Sequence, residues 1–177
     1  MSAAGSARAG AVRRLARARL QQLCAQAEPN VLRELHARYK YLVMAHDPAG
    51  TRVLGRIAAH ARVTGFDAAC AEYARALDRV LARPASPGGH VNALLHMFGY
   101  LPATLPAAER ARFLTVLEAY RGGTGTLAEP AALLWQWIGQ YDVAYLKPQA
   151  YFEPLCRHTR PRIVPPAPGR TGEATRV

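Results

Sequence analysis

Acid is scarce in this chain. Twelve Asp and Glu stand against 23 Lys and Arg, for a formal net charge of +11 at pH 7. No close carboxylate pair stands out in the middle of the chain, so acid–base work would have to rest on histidine. Cysteine is nearly absent: Cys24, Cys70 and Cys156 are far apart and odd in number, and none lies in a CxxC pair. That pattern argues against a disulfide framework and predicts inert thiols in a reducing cytosol. No apolar run approaches the roughly 20 residues that cross a bilayer, so no membrane span is expected. No window alternates in the way a strand does, and no repeat recurs at a fixed period. GxxxxGK[ST], GxGxxG, HExxH and GxSxG are all missing, which removes the motif-borne chemistries of phosphate cradles, zinc hydrolysis and nucleophile elbows.

What is present suits a folded domain. Half of the residues are apolar, and the length allows one real core. The positive charge is unevenly placed. Residues 1–27 carry Arg8, Arg13, Arg14, Arg17 and Arg19 with no acid, and residues 157–177 carry Arg157, Arg160, Arg162, Arg170 and Arg176 against Glu173 alone. The middle is close to neutral. The chain therefore divides into a basic N-terminal arm (1–27), partly helical, a helical domain (28–156), and a disordered Pro- and Arg-rich tail (157–177). The acid-free start has the composition of a transit peptide. Ala and Arg are abundant throughout, however, which favours a helix from about Val12 to Gln26 after a disordered 1–10.

Helical periodicity accounts for the rest. Pro29 can open a helix running to about His46, with Leu32, Leu35, Tyr39, Leu42 and Val43 on its apolar arc. Asp47-Pro48 is a cap followed by proline at the first helical position. The helix it opens runs to about Val63, with Leu54, Ile57 and Ala61 inward and Thr51, Gly55 and Ala59 forming a small-residue stripe. Asp67 can cap a helix to about Arg83, and PASPGG (84–89) is a loop. Thr104 is a possible cap for a helix from Pro106 to the Gly122-Gly123 pair. Glu129-Pro130 opens a helix through Trp137 and Tyr141, with Trp135 off its stripe and packed on another element. The expectation is an all-α fold: a compact single-domain bundle of about seven helices with disordered basic ends.

The stretch HVNALLHMFGYL, His90 to Leu101, is expected to organise the bundle. One arc holds Val91, Leu94, Leu95, Met97, Phe98 and Leu101. The other holds Asn92, His96, Gly99 and Tyr100 in place of the Lys and Glu of a solvated face. That is either a helix buried on both sides or a binding face. Arg33, Arg38 and Lys40 on one helix, with Arg52 and Arg56 on the next, are candidates for phosphate contacts. His36, Tyr41, His46, Asn92, His96 and Tyr100 are candidates for a more selective pocket. His36 and Lys40, four residues apart, can address the same ligand. Each group also has a structural reading, as a core-edge histidine, a solvated charged stripe or a satisfied core amide. His90 and His96, six apart, lie on different sides of one helix and are poorly spaced for a shared metal. No metal, cofactor or catalytic residue is assigned.

Three stretches resemble the YbgA-like family. They are HARYKYLVMAH (36–46), HVNALLHMFGYL (90–101), and Tyr120-Arg121-Gly followed by Leu133-Leu134 and YLKPQAYFEP (145–154). The chain departs from the family's pattern at TGTLAEP and at LCRHTRPR. The resemblance implies a bacterial helical domain that occurs alone or C-terminal to a thiouracil desulfidase-type domain. The cluster cysteines belong to that other domain, and the helical domain is thought to help it recognise tRNA. The resulting expectation is a cytoplasmic accessory domain that binds RNA, tRNA above all, without chemistry of its own. A separate desulfidase is a possible partner. Two alternatives stand beside it: a small enzyme with His36 and His96 as acid and base on a nucleobase-like substrate, and a module that docks a desulfidase.

Overall fold

The computed structural model of the chain describes residues 3–25 and 30–153. They form seven helices: α1 Ala3–Cys24, α2 Val31–His46, α3 Pro48–Thr64, α4 Phe66–Ala82, α5 Pro87–Phe98, α6 Ala107–Arg121 and α7 Ala128–Gln140. A single 3-10 turn, Ala150–Phe152, follows. No strand occurs among the described residues, so the all-α expectation holds. No described helix is long and apolar enough to cross a membrane. The disordered tail expected at 157–177 lies outside the described residues, as does Pro29.

Local chemistry explains most boundaries. Asp47 accepts the Ala49 N–H at 2.9 Å while Pro48 occupies the first helical position, as the spacing predicts. Gly65, at φ +85°, turns the chain between α3 and α4, a conformation that costs glycine little. Three expectations need correction. Asp67 is not a cap, because α4 begins at Phe66 directly after Gly65, which leaves Asp67 in the first turn, where its carboxylate complements the helix dipole. Thr104 is not a cap either, since Pro106 occupies that position for α6. The helix at His90 begins earlier, at Pro87, because Ser86 accepts the Gly89 N–H at 3.0 Å and makes the end of the supposed loop a helix start.

The N-terminal arm is also more ordered than its composition suggests, with α1 starting at Ala3. Ala16 and Leu20 are buried in the core beside α4, and Arg13 and Arg17 both pair with Asp78 at 3.2 and 3.3 Å. Cys24 and Cys70 form a disulfide across Cα atoms 6.2 Å apart. That corrects the reading of these cysteines as isolated thiols: packing α1 on α4 brings together residues that sequence distance kept apart. The argument for a reducing compartment drawn from them falls with it.

The hydrophobic interior has two halves. One joins α1 to α4 through Leu20, Leu35, Val43, Leu54, Tyr73 and Leu77. The other joins α5, α6, α7 and the 3-10 turn through Leu94, Met97, Phe113, Trp137, Tyr151 and Phe152. Helix α2 serves both, giving Leu32, Leu35, Tyr39, Leu42 and Val43 to the first and Tyr41, Met44 and Ala45 to the second. The organising element is therefore α2 and not the His90 helix. Helix α5 is buried along one side only, through Gly89, Ala93, Leu94 and Met97, while Leu95 is 42% exposed. The packing of Trp135 on another element holds, its ring lying 4.9 Å from that of Phe152.

Candidate nucleic-acid interface

Helices α2 and α3 form a tight antiparallel pair through the Asp47 turn. Gly55 lies against His36, with the position of an added Cβ only 3.0 Å from His36 Nε2. Arg33 reaches across to donate to the Ala59 carbonyl at 3.1 Å. This register runs α2 forward as α3 runs back. Helical spacing then lays Arg33 and Lys40 along one side of the seam and Arg52 and Arg56 along the other. Arg33, Arg52 and Arg56 are exposed and Lys40 is half-buried.

The ion pairs among the described residues do not involve these cations, nor Arg14, Arg19, Arg62, Arg75, Arg79, Arg83 or Arg110. Arg13 and Arg17 are balanced by Asp78, Arg112 by Glu109, Arg121 by Glu118 and Lys147 by Asp142. Among the described residues, Arg33, Lys40, Arg52 and Arg56 have no acidic partner. Arg38 differs: it pairs with Glu153 at 2.5 Å and sits on another side of α2, which corrects its grouping with the phosphate-contacting cations.

Lys40 connects the seam to a cluster of phenols. Its Nζ lies 5.4 Å from the centre of the Tyr41 ring. Burial first, and next the neighbouring Tyr100 hydroxyl, push the Tyr41 pKa well above the ordinary phenol value. The Tyr100 ring stacks on Tyr145, centroids 5.1 Å apart and planes 23° from parallel. Each of the three stretches that carry the family resemblance contributes one of these tyrosines. Tyr41 is 1% exposed, so its role is support rather than the ligand contact expected of it.

The histidines do not share one pocket. His36 Nδ1 is hydrogen-bonded to Tyr73 Oη at 3.3 Å, so its ring contacts α3 and α4 rather than α5. Burial, and next the charge of Lys40, lower its pKa from the ordinary 6.5. His46 Nδ1 donates to the Arg83 carbonyl at 2.5 Å, and burial lowers its pKa while that bond opposes the shift. It bridges α2 to the end of α4, which corrects its inclusion in the expected pocket. His90 Nδ1 is bonded to Tyr151 Oη at 2.9 Å, with Tyr120 close by. His96 is exposed and Asn92 half-buried on the edge of α5 that ends at Tyr100. Among the described residues no cluster of three or more His, Cys, Asp or Glu could hold a metal ion.

Residue-level reading overlooked Tyr145 and Gln149. Gln149 is 3% exposed, and its amide donates to the Ala37 carbonyl at 3.0 Å and the Tyr145 carbonyl at 3.3 Å. Both lie in YLKPQAYFEP, a stretch singled out by resemblance but not by periodicity.

A family profile described as "Protein of unknown function (DUF1722)" matches residues 40–155. The chain is 30% identical to "Uncharacterized protein YbgA" of Escherichia coli (strain K12) over 123 residues, 69% of this chain and 73% of the relative. No solved structure matches it. The seam's Lys40, the stacked tyrosines and the His90–Tyr151 bond all fall within the matched region, and the chain belongs to this DUF1722, YbgA-like family.

Proposed function

We propose that this domain binds structured RNA, tRNA being the class its family resemblance implies, through the α2–α3 seam, and that it has no chemistry of its own. The observation that supports this reading is that Arg33 and Lys40 on α2 and Arg52 and Arg56 on α3, two helices packed on each other, have no acidic partner among the described residues. Cations left unneutralised on one surface are what a phosphate backbone requires, and their contacts displace counterions. A cytoplasmic location is the one that suits this ligand, although a disulfide such as Cys24–Cys70 is rare in a reducing cytosol. A desulfidase acting on thiolated RNA is the partner class consistent with such an accessory role.

The test is fluorescence anisotropy of the full chain with bulk tRNA across a salt series. Affinity should fall steeply with salt. Changing Arg52 and Arg56 together to Ala should flatten the log–log slope by about 1.4 to 1.8, at 0.7 to 0.9 per phosphate contact. Absence of binding at low salt, or an unchanged slope in the double variant, overturns the reading.

A further inference from the structure

We infer that Tyr100 and Tyr145 form a stacking platform for one unpaired nucleobase, so that the site takes a single-stranded loop or end of RNA in preference to duplex. This rests on the RNA-binding reading and names the part of the ligand that is recognised.

Exposure of the rings is the first observation. Tyr39, Tyr41, Tyr73 and Tyr151 are at most 5% exposed, whereas Tyr100 is 46% and Tyr145 38% exposed. Two large rings kept at the surface forgo the burial that the fold gives these four, and are more exposed than the half-buried Tyr120 and Tyr141. Their anchoring is the second. The buried Tyr41 hydroxyl meets that of Tyr100 from inside the core, and Gln149 ties the Tyr145 backbone to the Ala37 carbonyl on α2. The adjacent Leu146 is fully buried. The rings are thus set in place before any ligand arrives, which lowers the ordering cost of binding.

The surroundings supply the rest of a nucleotide's needs. Lys40 lies beside the ring of Tyr41, the tyrosine that meets Tyr100, and supplies a cation for a phosphate next to the platform. His96, exposed on α5 four residues before Tyr100, is the nearer polar group on that edge and can meet a base edge, with the half-buried Asn92 one turn further back. Aromatic faces accept bases that have left the helical stack, and a duplex end offers only one.

The test compares a labelled hairpin RNA carrying an unpaired loop with a blunt duplex of the same stem, by anisotropy with the full chain. A 2-aminopurine in the loop reports stacking. Wild type should prefer the loop by about ten-fold, within the range of one base–aromatic stack. Tyr145→Ala and Tyr100→Ala should lose that preference and the 2-aminopurine response while keeping the salt slope, and Tyr145→Phe should keep all three. Equal wild-type affinity for loop and duplex, or a Tyr145→Ala protein with undiminished loop preference, overturns the platform and leaves the seam's RNA binding standing. Failure of both RNAs to bind at low salt overturns both. Circular dichroism of each variant separates lost stacking from lost fold.

Discussion

Gly89 lies so close to the Ala45 carbonyl that no Cβ fits between α5 and α2. The obstacle is backbone, which cannot swing aside as a side chain can. Gly89→Ala should therefore destabilise the fold by about 1–3 kcal/mol, the usual cost of overpacking. Gly88, one residue earlier, has open space where its Cβ would stand. Gly88→Ala should be neutral or stabilising, by up to about 1 kcal/mol. Urea unfolding followed at the buried Trp137 compares the two.

The Cys24–Cys70 disulfide closes a sequence separation of 46 residues and staples α1 to α4. Restricting the unfolded chain in this way contributes about 2–4 kcal/mol. Cys70→Ser, or reduction of the wild type, should lower the unfolding free energy by that amount. Alkylation and mass measurement before and after reduction check that the thiols were paired. Two free thiols in the untreated protein would remove the staple.

Stability should fall on acidification below neutral pH, in part through His36 and His46. Each has a folded pKa below its ordinary value of 6.5, chiefly through burial. The unfolded chain then takes up protons more readily than the fold. Their contribution is complete above pH 6.5 and is lost as pH falls through the lowered values. A thermal midpoint measured from pH 7.5 to 5 should decline, and His36→Gln should flatten the decline while leaving the share due to His46.

Arg38 separates two accounts of the basic residues. Its guanidinium is engaged by Glu153, unlike Arg52 and Arg56. Arg38→Ala should change tRNA affinity by less than about two-fold, and its stability cost should be that of a half-exposed ion pair, about 0–1 kcal/mol. A loss matching that of the Arg52 and Arg56 variants would place Arg38 back among the phosphate contacts.

Tyr73→Phe removes the partner of His36 Nδ1 without changing the ring's shape. The bond lies between buried α2 and α4 surfaces, so the substitution should cost about 1 kcal/mol and leave RNA affinity unchanged. Urea unfolding and anisotropy on one preparation read both quantities.

Much of this protein is determined within single helices and was legible there. Periodicity placed Leu54, Ile57 and Ala61 inward on α3, the Asp47-Pro48 cap gave its start, and i, i+4 spacing aligned Arg52 with Arg56 and Lys40 with His36. These follow from the 3.6-residue repeat and from caps that act within a turn. Contacts between distant elements were decided only by tertiary packing. Arg38 meets Glu153 across 115 residues, Cys24 meets Cys70, and Tyr41, Tyr100 and Tyr145 come together because α2 is shared by both halves of the interior. A helical sequence specifies which of its faces is apolar, but not which neighbour that face meets or at what crossing angle. That angle depends on ridges, grooves and close approaches such as Gly89 on Ala45, which exist only once the helices are packed.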